Sequence, residues 1–212
     1  MFPTVPPPPR RLLVFARLPE LGRVKTRLAS DIGDERALEV YNAMLHDVIG
    51  AIGTSNPELE IEVMWAPSAD ANGDALRRAF DGHATAMQTG ETLGDRLAMA
   101  FSERFFFHRT LTIVTIGVDD PSITRELIDH AFALLDSVEW VIGPATDGGY
   151  YLIGCRMGAF NVEVFREMEW GTSRVFATTL ARIREWNATV AVLPEHMDID
   201  VEEDLRRSGR YV

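Results

Sequence analysis

Five aspartates lie at positions that are typical of site residues in an α/β sheet: Asp119, Asp120, Asp147, Asp198 and Asp200. Each is near the end of a short hydrophobic run, and runs rich in β-branched residues are typical of buried strands. In an open α/β sheet, ligands bind beyond the carboxyl ends of the strands. Carboxylate oxygens without cysteine or clustered histidine suit Mg²⁺ or Mn²⁺ rather than zinc. The aspartates therefore predict a hard-cation site at one edge of a sheet.

Any one of these aspartates could instead cap a helix, and Asp120 and Asp204 fit that simpler role. Asp198 and Asp200 are two residues apart on an extended segment, so their side chains point the same way and can share a cation. We therefore predict that they hold a metal together with Asp119. Because three close carboxylates repel one another, the sequence also predicts that Asp119→Asn stabilises the metal-free fold.

Four cations crowd one segment of a chain whose formal net charge is −11: Arg17, Arg23, Lys25 and Arg27. The segment, a predicted loop over residues 17–28, follows the first predicted strand, at the sheet edge where phosphates bind in α/β folds. It is either a phosphate-binding loop or a solvated basic loop paired with nearby carboxylates. The first alternative predicts a metal–phosphate site in which cations stabilise charge developing on phosphate oxygens.

Four glycines lie next to predicted strand or helix ends: Gly90, Gly94, Gly148 and Gly149. Glycine lets a backbone approach a ligand closely, and Asp147, just before the second pair, could then face a hydroxyl of the donor or the acceptor. Ordinary turns explain both segments equally simply, since Asp-Gly is a strong turn signal. Both interpretations stay open at the level of the sequence.

Hydrophobic periodicity predicts strands alternating with helices, and hence a single α/β domain with a mixed, mostly parallel sheet. The predicted strands are residues 11–16, 60–66, 85–88, 111–116, 139–142, 150–153 and 189–193. The predicted helices include one that Asp31 or Asp34 caps and that runs to about Ile52, residues 74–80, residues 122–135 and a segment ending near Trp186. The proline-rich residues 1–10 are expected to form a disordered tail before a domain over 11–212.

Length and composition narrow the class of protein. A chain of 212 residues with 46% hydrophobic residues suits one domain with a substantial core. Its acidity argues against binding nucleic acid or an anionic membrane, and no apolar run approaches the ~20 residues of a membrane span. One cysteine and a proline-rich start instead of a signal peptide predict a cytoplasmic protein. No G-x-x-x-x-G-K-[ST] segment is present, which excludes a P-loop NTPase.

Six segments occur in an order that resembles one protein family: LGRVKTRLA (21–29), QTGETLGDRL (88–97), IGVDDP (116–121), GPATDGGYYLIG (143–154), WGTSRV (170–175) and DIDVEEDL (198–205). They resemble the bacterial glycosyltransferase-like family of uncharacterised transferases, which includes proteins associated with radical-SAM enzymes or arsenosugar synthesis. That family lies in the nucleotide-diphospho-sugar transferase superfamily, so the resemblance implies a GT-A-like three-layer fold. More distantly, KTRLA and the final D-x-D segment resemble 2-phospho-lactate guanylyltransferases.

The resemblance implies that Asp119, Asp198 and Asp200 hold Mg²⁺ or Mn²⁺. It also implies that the segment over 88–96 contacts the nucleotide. Combined with the basic loop and the paired glycines, the predicted nucleotide-binding residues are Arg17, Arg23, Lys25, Arg27, Gln88, Gly90, Gly94, Arg96, Gly148 and Gly149. The predicted catalytic residues are Asp119, Asp147 and Lys25.

The sequence departs from this family at two positions of the site. Arg17 stands where lysine is usual, and Asp120 stands where a cysteine or a small residue is usual. The nucleotidyltransferase loop L-x-G-G-x-G-x-R is absent after the first strand. The leading prediction is therefore glycosyl transfer from a nucleotide-diphospho-sugar to an unidentified small-molecule acceptor. The alternatives are nucleotidyl transfer from an NTP with release of pyrophosphate, and a non-catalytic nucleotide-binding protein.

Overall fold

A computed structural model describes residues 10–56, 58–68 and 83–211. Within these residues, seven strands form one sheet in the order β3-β2-β1-β4-β6-β5-β7. The strands are β1 (Arg10–Ala16), β2 (Leu59–Trp65), β3 (Ala84–Met87), β4 (Thr112–Ile116), β5 (Trp140–Pro144), β6 (Tyr150–Arg156) and β7 (Val190–Val192). β6 runs antiparallel to β4 and β5, whereas the other neighbouring pairs are parallel. The predicted mixed, mostly parallel sheet is confirmed.

Six α-helices accompany the sheet in the described part of the chain: α1 (Thr26–Ile32), α2 (Asp34–Ile52), α3 (Leu93–Phe106), α4 (Arg125–Leu134), α5 (Val175–Glu185) and α6 (Glu202–Ser208). Two short 3-10 helices, Met157–Ala159 and Val162–Val164, follow β6. The prediction of a loop as far as Leu28 is wrong at its end, because α1 begins at Thr26. The helix follows directly from Lys25, whose carbonyl accepts a hydrogen bond from Ala29 N at 2.7 Å. Residues 1–9 of the expected tail and the helix predicted over 74–80 lie outside the described residues. The tail prediction is wrong at Arg10, because Arg10 pairs in register with both neighbouring strands as the first residue of β1.

The sheet is buried on both faces, which gives three layers. Successive residues of β1 alternate between two cores, as the two-residue period of a strand requires. Leu12 and Val14 pack on the face that α2 and α4 cover, whereas Leu13 packs on the face that α3 covers. Every strand residue from Leu12 to Val14 is fully buried. The sheet thus supports the loops that follow the carboxyl ends of its central strands β1 and β4, and a site can lie there.

No helix in the described ranges is both long and apolar enough to cross a membrane.

Candidate active site

A cleft of about 460 Å³ opens at the carboxyl ends of β1 and β4. Nine residues predicted from the sequence line it: Arg17, Arg23, Lys25, Arg27, Gln88, Arg96, Asp119, Asp198 and Asp200. The structure therefore brings the basic segment and the acidic residues to one place, although they come from separate parts of the chain. Five other predicted residues lie outside the lining of this cleft: Gly90, Gly94, Asp147, Gly148 and Gly149.

One backbone hydrogen bond joins the two acidic segments. Ile199 N donates to Asp119 O at 2.9 Å, so the residues after β4 lie directly against residues 198–200. Two more hydrogen bonds align the preceding segment with the end of β5, from His196 N to Pro144 O at 3.0 Å and from Thr146 N to His196 O at 2.9 Å. The chain after β7 thus extends the sheet edge and carries its carboxylates toward Asp119.

Lys25 lies at the centre of this charge cluster. Its Nζ is 2.6 Å from Asp119 Oδ1 and 3.1 Å from Asp200 Oδ1, and its side chain is 4% exposed. Burial alone would lower the pKa of Lys25, but the charges and hydrogen bonds of Asp119 and Asp200 outweigh burial and raise the pKa above its ordinary value. The lysine is therefore charged. Arg27 adds a second cation, with Nη1 3.1 Å from Asp200 Oδ2.

Asp198 also belongs to the cluster, but unlike Asp119 and Asp200 it has no ion pair with a basic side chain of the described residues. Burial, followed by the negative charge of Asp119, raises the pKa of Asp198 to about 8. The charges of Asp147 and Asp200 act in the same direction, whereas Lys25 opposes them. Asp198 has neither a hydrogen bond nor an ion pair with any other described residue. At neutral pH the carboxyl group holds its proton unless a cation takes the place of that proton.

The donor chemistry of the cluster fits a hard cation, although the protein does not form a complete cage. Among the described residues, no group of three or more histidine, cysteine, aspartate or glutamate side chains is arranged to hold a metal. Mg²⁺ is usually bound by one or two carboxylates, with water and substrate phosphates as its other ligands. Asp119 and Asp198 match this partial arrangement, because Asp198 is unpaired and Asp119 uses Oδ1 for Lys25.

Asp120 is already engaged within the fold. It is 2% exposed, and its Oδ1 accepts hydrogen bonds from Ser122 N at 2.8 Å and Ser122 Oγ at 2.5 Å. Its Oδ2 lies 2.6 Å from His196 Nδ1. The His196 ring in turn stacks on Tyr151, with centroids 4.3 Å apart. Asp120 thus stabilises its own turn and ties the Asp119 loop to the segment after β7. The predicted role as a helix cap is wrong, because Thr124 caps α4.

Two of the glycines outside the cleft, Gly94 and Gly148, approach the protein's own backbone closely. Gly148 has a φ of 88°, and a Cβ there would lie 2.3 Å from Ser173 O. A Cβ on Gly94 would lie 2.3 Å from Phe165 O. Asp147 Oδ1 accepts a hydrogen bond from Gly149 N at 2.7 Å, which makes this segment a side-chain-stabilised turn. Of the two interpretations that the sequence left open, the structure supports the turn.

Gly148→Ala should lower the free energy of unfolding by about 3 kcal/mol, because a methyl group adds overpacking to an unfavourable φ. Gly171→Ala is the matched control, since Gly171 also has a positive φ, of 77°, but nothing lies within 4 Å of its Cβ position. It should cost about 1 kcal/mol. Urea denaturation of both variants measures the difference, and equal losses would show that Ser173 moves aside freely.

Several residues of the cleft had no sequence signal of their own. Tyr41 belongs to the apolar face of α2, yet its hydroxyl accepts from Arg17 N and donates to Arg17 O, both at 2.8 Å. It therefore fixes the backbone that carries the first cation of the basic segment. Burial and the negative charge of Asp119 raise the pKa of Tyr41, so the phenol stays protonated. A hydroxyl among the apolar residues of that helix was the available hint.

Two polar residues predicted to bind nucleotide are held in place by backbone carbonyls. Gln88 Nε2 donates to Met64 O at 2.8 Å and to Ala16 O at 3.4 Å, and the side chain is 5% exposed. Because the amide nitrogen faces these carbonyls, Gln88 offers its oxygen as an acceptor. Arg96 Nε donates to Gly90 O at 3.1 Å. Both side chains are thus oriented before any ligand arrives.

Comparison with solved structures places this fold among nucleotide-using transferases. A protein of Desulfovibrio desulfuricans G20, provisionally assigned as a nucleotide-diphospho-sugar transferase, is 30% identical with a TM-score of 0.89, over 95% of this chain and 86% of that one. A cytidylyltransferase of Leptospira borgpetersenii is 14% identical with a TM-score of 0.60, over 92% of this chain and 83% of that one. Rv0371c of Mycobacterium tuberculosis H37Rv, solved with manganese, is 18% identical with a TM-score of 0.51, over 93% and 96% of the two chains. The last two similarities show the fold alone.

The chain belongs to the family described as "Uncharacterized protein conserved in bacteria (DUF2064)", whose model matches residues 53–172. No protein with a curated function matches the sequence. The family is thus shown by sequence, and the fold by the solved structures.

Proposed function

We propose that this protein is a metal-dependent transferase that takes an activated nucleotide and transfers a glycosyl group from a nucleotide-diphospho-sugar to a small-molecule acceptor. One observation carries the proposal: a basic segment and a carboxylate cluster meet in one cleft at the carboxyl edge of the sheet. Oppositely charged groups in that arrangement suit a diphosphate and a divalent cation bound side by side. The structure 30% identical to this chain supports the same class of donor.

Each charged group has a role in this proposal. Arg17, Arg23 and Arg27 neutralise the diphosphate, and Gln88 and Arg96 contact the rest of the nucleotide. Asp119 and Asp198 would hold Mg²⁺ or Mn²⁺, and Asp200 would join them only once its ion pairs with Lys25 and Arg27 open. The cation would supply positive charge where the leaving diphosphate becomes more negative. The manganese in the structure of Rv0371c supports this choice of metal. Asp147 lies outside the lining of the cleft and acts on Asp198 through its charge.

Nucleotidyl transfer from an NTP is the second candidate. The observation that favours it is the fold, which this chain shares with a cytidylyltransferase. The absence of the L-x-G-G-x-G-x-R loop favours glycosyl transfer instead. An association with radical-SAM enzymes or arsenosugar synthesis, and the more distant likeness to guanylyltransferases, remain predictions of the sequence resemblance.

Product analysis distinguishes these candidates. The protein is incubated with Mg²⁺ or Mn²⁺ and either a panel of nucleotide-diphospho-sugars or the four NTPs, with a bacterial metabolite extract as the source of acceptor. Release of a nucleoside diphosphate that depends on the extract supports glycosyl transfer, and release of pyrophosphate from one NTP supports the second candidate. Binding of nucleotide without either product would reduce the protein to a nucleotide-binding role.

Arg27→Ala should weaken binding of the donor nucleotide about tenfold, because the variant loses a charge-assisted contact to phosphate. Its stability should change by less than about 0.5 kcal/mol, since Arg27 is 69% exposed. Arg27→Lys should restore only part of the affinity, because a point charge cannot replace a planar fork. Calorimetry measures the affinities.

The matched control is Arg166→Ala, which removes an arginine that is 61% exposed and paired with Glu163. It should leave nucleotide affinity unchanged, because Arg166 does not line the cleft. Unchanged affinity in Arg27→Ala would remove this arginine from the site.

A further inference from the structure

The ammonium of Lys25 stands between two carboxylates that the proposed function assigns to a divalent cation. Its Nζ contacts Asp119 Oδ1 at 2.6 Å and Asp200 Oδ1 at 3.1 Å. With 4% of its side chain exposed, the lysine cannot exchange these partners for water unless the side chain moves. A cation built into the chain thus already neutralises the ligands of the proposed metal.

The charges of the cluster are nearly balanced without any ion. Asp119, Asp198 and Asp200 face two side-chain cations, Lys25 and Arg27, so at most one negative charge is left over. A divalent cation alone would make the cluster positive, and it would share carboxylates with an ammonium that repels it. A diphosphate group brings at least two negative charges, which is enough to balance the added ion.

The backbone of Lys25 indicates that this arrangement is held under constraint. Its φ of 46° and ψ of 43° put a residue with a side chain in the left-handed region, directly before α1. Such conformations persist only where the surrounding contacts determine them. The two ion pairs of Lys25 are contacts of that kind.

We propose that Lys25 is an internal counter-ion that holds the place of the divalent cation in the nucleotide-free protein, and that a diphosphate group makes room for the cation. The proposal rests on the proposed function, since it concerns the same cleft. When phosphate oxygens arrive, they offer Lys25 a second set of anionic partners, and Asp119 and Asp200 become available to the cation. Cation and nucleotide therefore bind cooperatively, and each raises the affinity for the other by the same factor.

The proposal is tested with Mg²⁺, with Mn²⁺ and with inorganic pyrophosphate, which stands for a diphosphate without base or sugar. Lys25→Met removes the charge and keeps the length of the side chain. Arg10→Met is the matched control, because it removes one positive charge from an ion pair, with Asp136, that does not line the cleft. Both variants change the net charge equally, so a general attraction of cations to a more acidic protein affects both.

In wild-type protein, the divalent metal ion alone or pyrophosphate alone should change the melting temperature by less than about 1 °C. Mg²⁺ together with pyrophosphate should raise it by about 5 °C. Lys25→Met should melt at a lower temperature without metal and should gain about 5 °C from Mn²⁺ alone. Calorimetry should show Mn²⁺ binding at least about tenfold tighter in Lys25→Met than in wild type or Arg10→Met.

The outcomes separate this proposal from the function on which it rests. If wild type binds Mn²⁺ alone as tightly as Lys25→Met does, Lys25 is not a counter-ion for that site, although the metal site itself stands. If the affinity for Mn²⁺ rises as much in Arg10→Met as in Lys25→Met, the effect is a general electrostatic one and the proposal is overturned. If none of the proteins responds to either ion, with or without pyrophosphate, the metal in the proposed function fails as well.

Discussion

Asp119→Asn should lower turnover by about two to three orders of magnitude, because the variant loses a charge that the proposed site uses to hold its cation. The same substitution should lower the free energy of unfolding by about 1 to 2 kcal/mol. The physical reason is that Asp119 Oδ1 lies 2.6 Å from Nζ of Lys25, which is almost fully buried. In the variant, Lys25 would keep only Asp200 as a charged partner. Steady-state kinetics and thermal unfolding without metal measure the two effects.

This expectation reverses the one that the sequence supports. Three carboxylates without a neutralising cation would repel, so removal of one charge would stabilise the metal-free fold. The structure places Lys25 and Arg27 among them, so the attraction lost in Asp119→Asn exceeds the repulsion relieved. A rise in melting temperature without metal would contradict this balance. Asp136→Asn is the control, since Asp136 is 65% exposed and should contribute less than about 0.5 kcal/mol through its pair with Arg10.

Glu62→Ala should be the most destabilising of the substitutions considered, with a loss of about 3 to 5 kcal/mol. Glu62 Oε1 accepts from Arg104 Nη2 at 2.8 Å, and its Oε2 accepts from Arg104 Nε at 3.1 Å and Arg11 Nη1 at 3.0 Å. Glu62 is 6% exposed and Arg104 is 3% exposed. The substitution would leave two guanidinium groups without this carboxylate, one of them deeply buried. Chemical denaturation measures the loss.

Glu60→Ala is the matched control for this substitution, because Glu60 lies on the same strand and pairs with the same Arg11 but is 55% exposed. It should cost less than about 1 kcal/mol. A similar loss in both variants would show that burial does not distinguish the two carboxylates. In that event the ion pair with Arg104 would contribute little.

The pH dependence of stability offers an independent check on Glu62. Burial alone would raise its pKa, but the hydrogen bonds and charges of Arg104 and Arg11 outweigh burial and hold the pKa below the ordinary value of 4.5. Because the pKa is lower in the folded state, this contribution is fully present above pH 4.5 and is lost as the pH falls from there through the folded pKa. Glu62→Gln should therefore show a shallower loss of stability below pH 4.5 than wild type does.

The sequence determined the strands and most of the helices, because each depends on short-range features. The run from Leu111 to Ile116 is β-branched and apolar, and β4 begins within one residue of the predicted start. The apolar face from Ala37 to Ile52 predicted α2 and its end at Ile52. The sequence left Asp31 and Asp34 open as the cap of this helix, whereas the structure places Gly33 there. Asp119 and the basic segment could be placed at one sheet edge because the carboxyl ends of parallel strands meet there. Helices and strands can be predicted in this way because they depend on hydrogen bonds and side-chain periodicity among residues that are close in sequence.

The tertiary structure decided which of these groups touch. The hydrogen bond from Lys25 to Asp200 spans a sequence separation of 175 residues. It forms because α1 packs against α6, the helix that begins two residues after Asp200. No periodicity in the sequence relates those positions. Gly148 meets the backbone of Ser173 for the same kind of reason. The sequence near each site residue was thus enough to predict its type of chemistry and the edge of the sheet where it lies. Whether a carboxylate faces a lysine, a cation or its own backbone depends on how distant elements pack, and that packing reverses the expected sign of the Asp119→Asn effect.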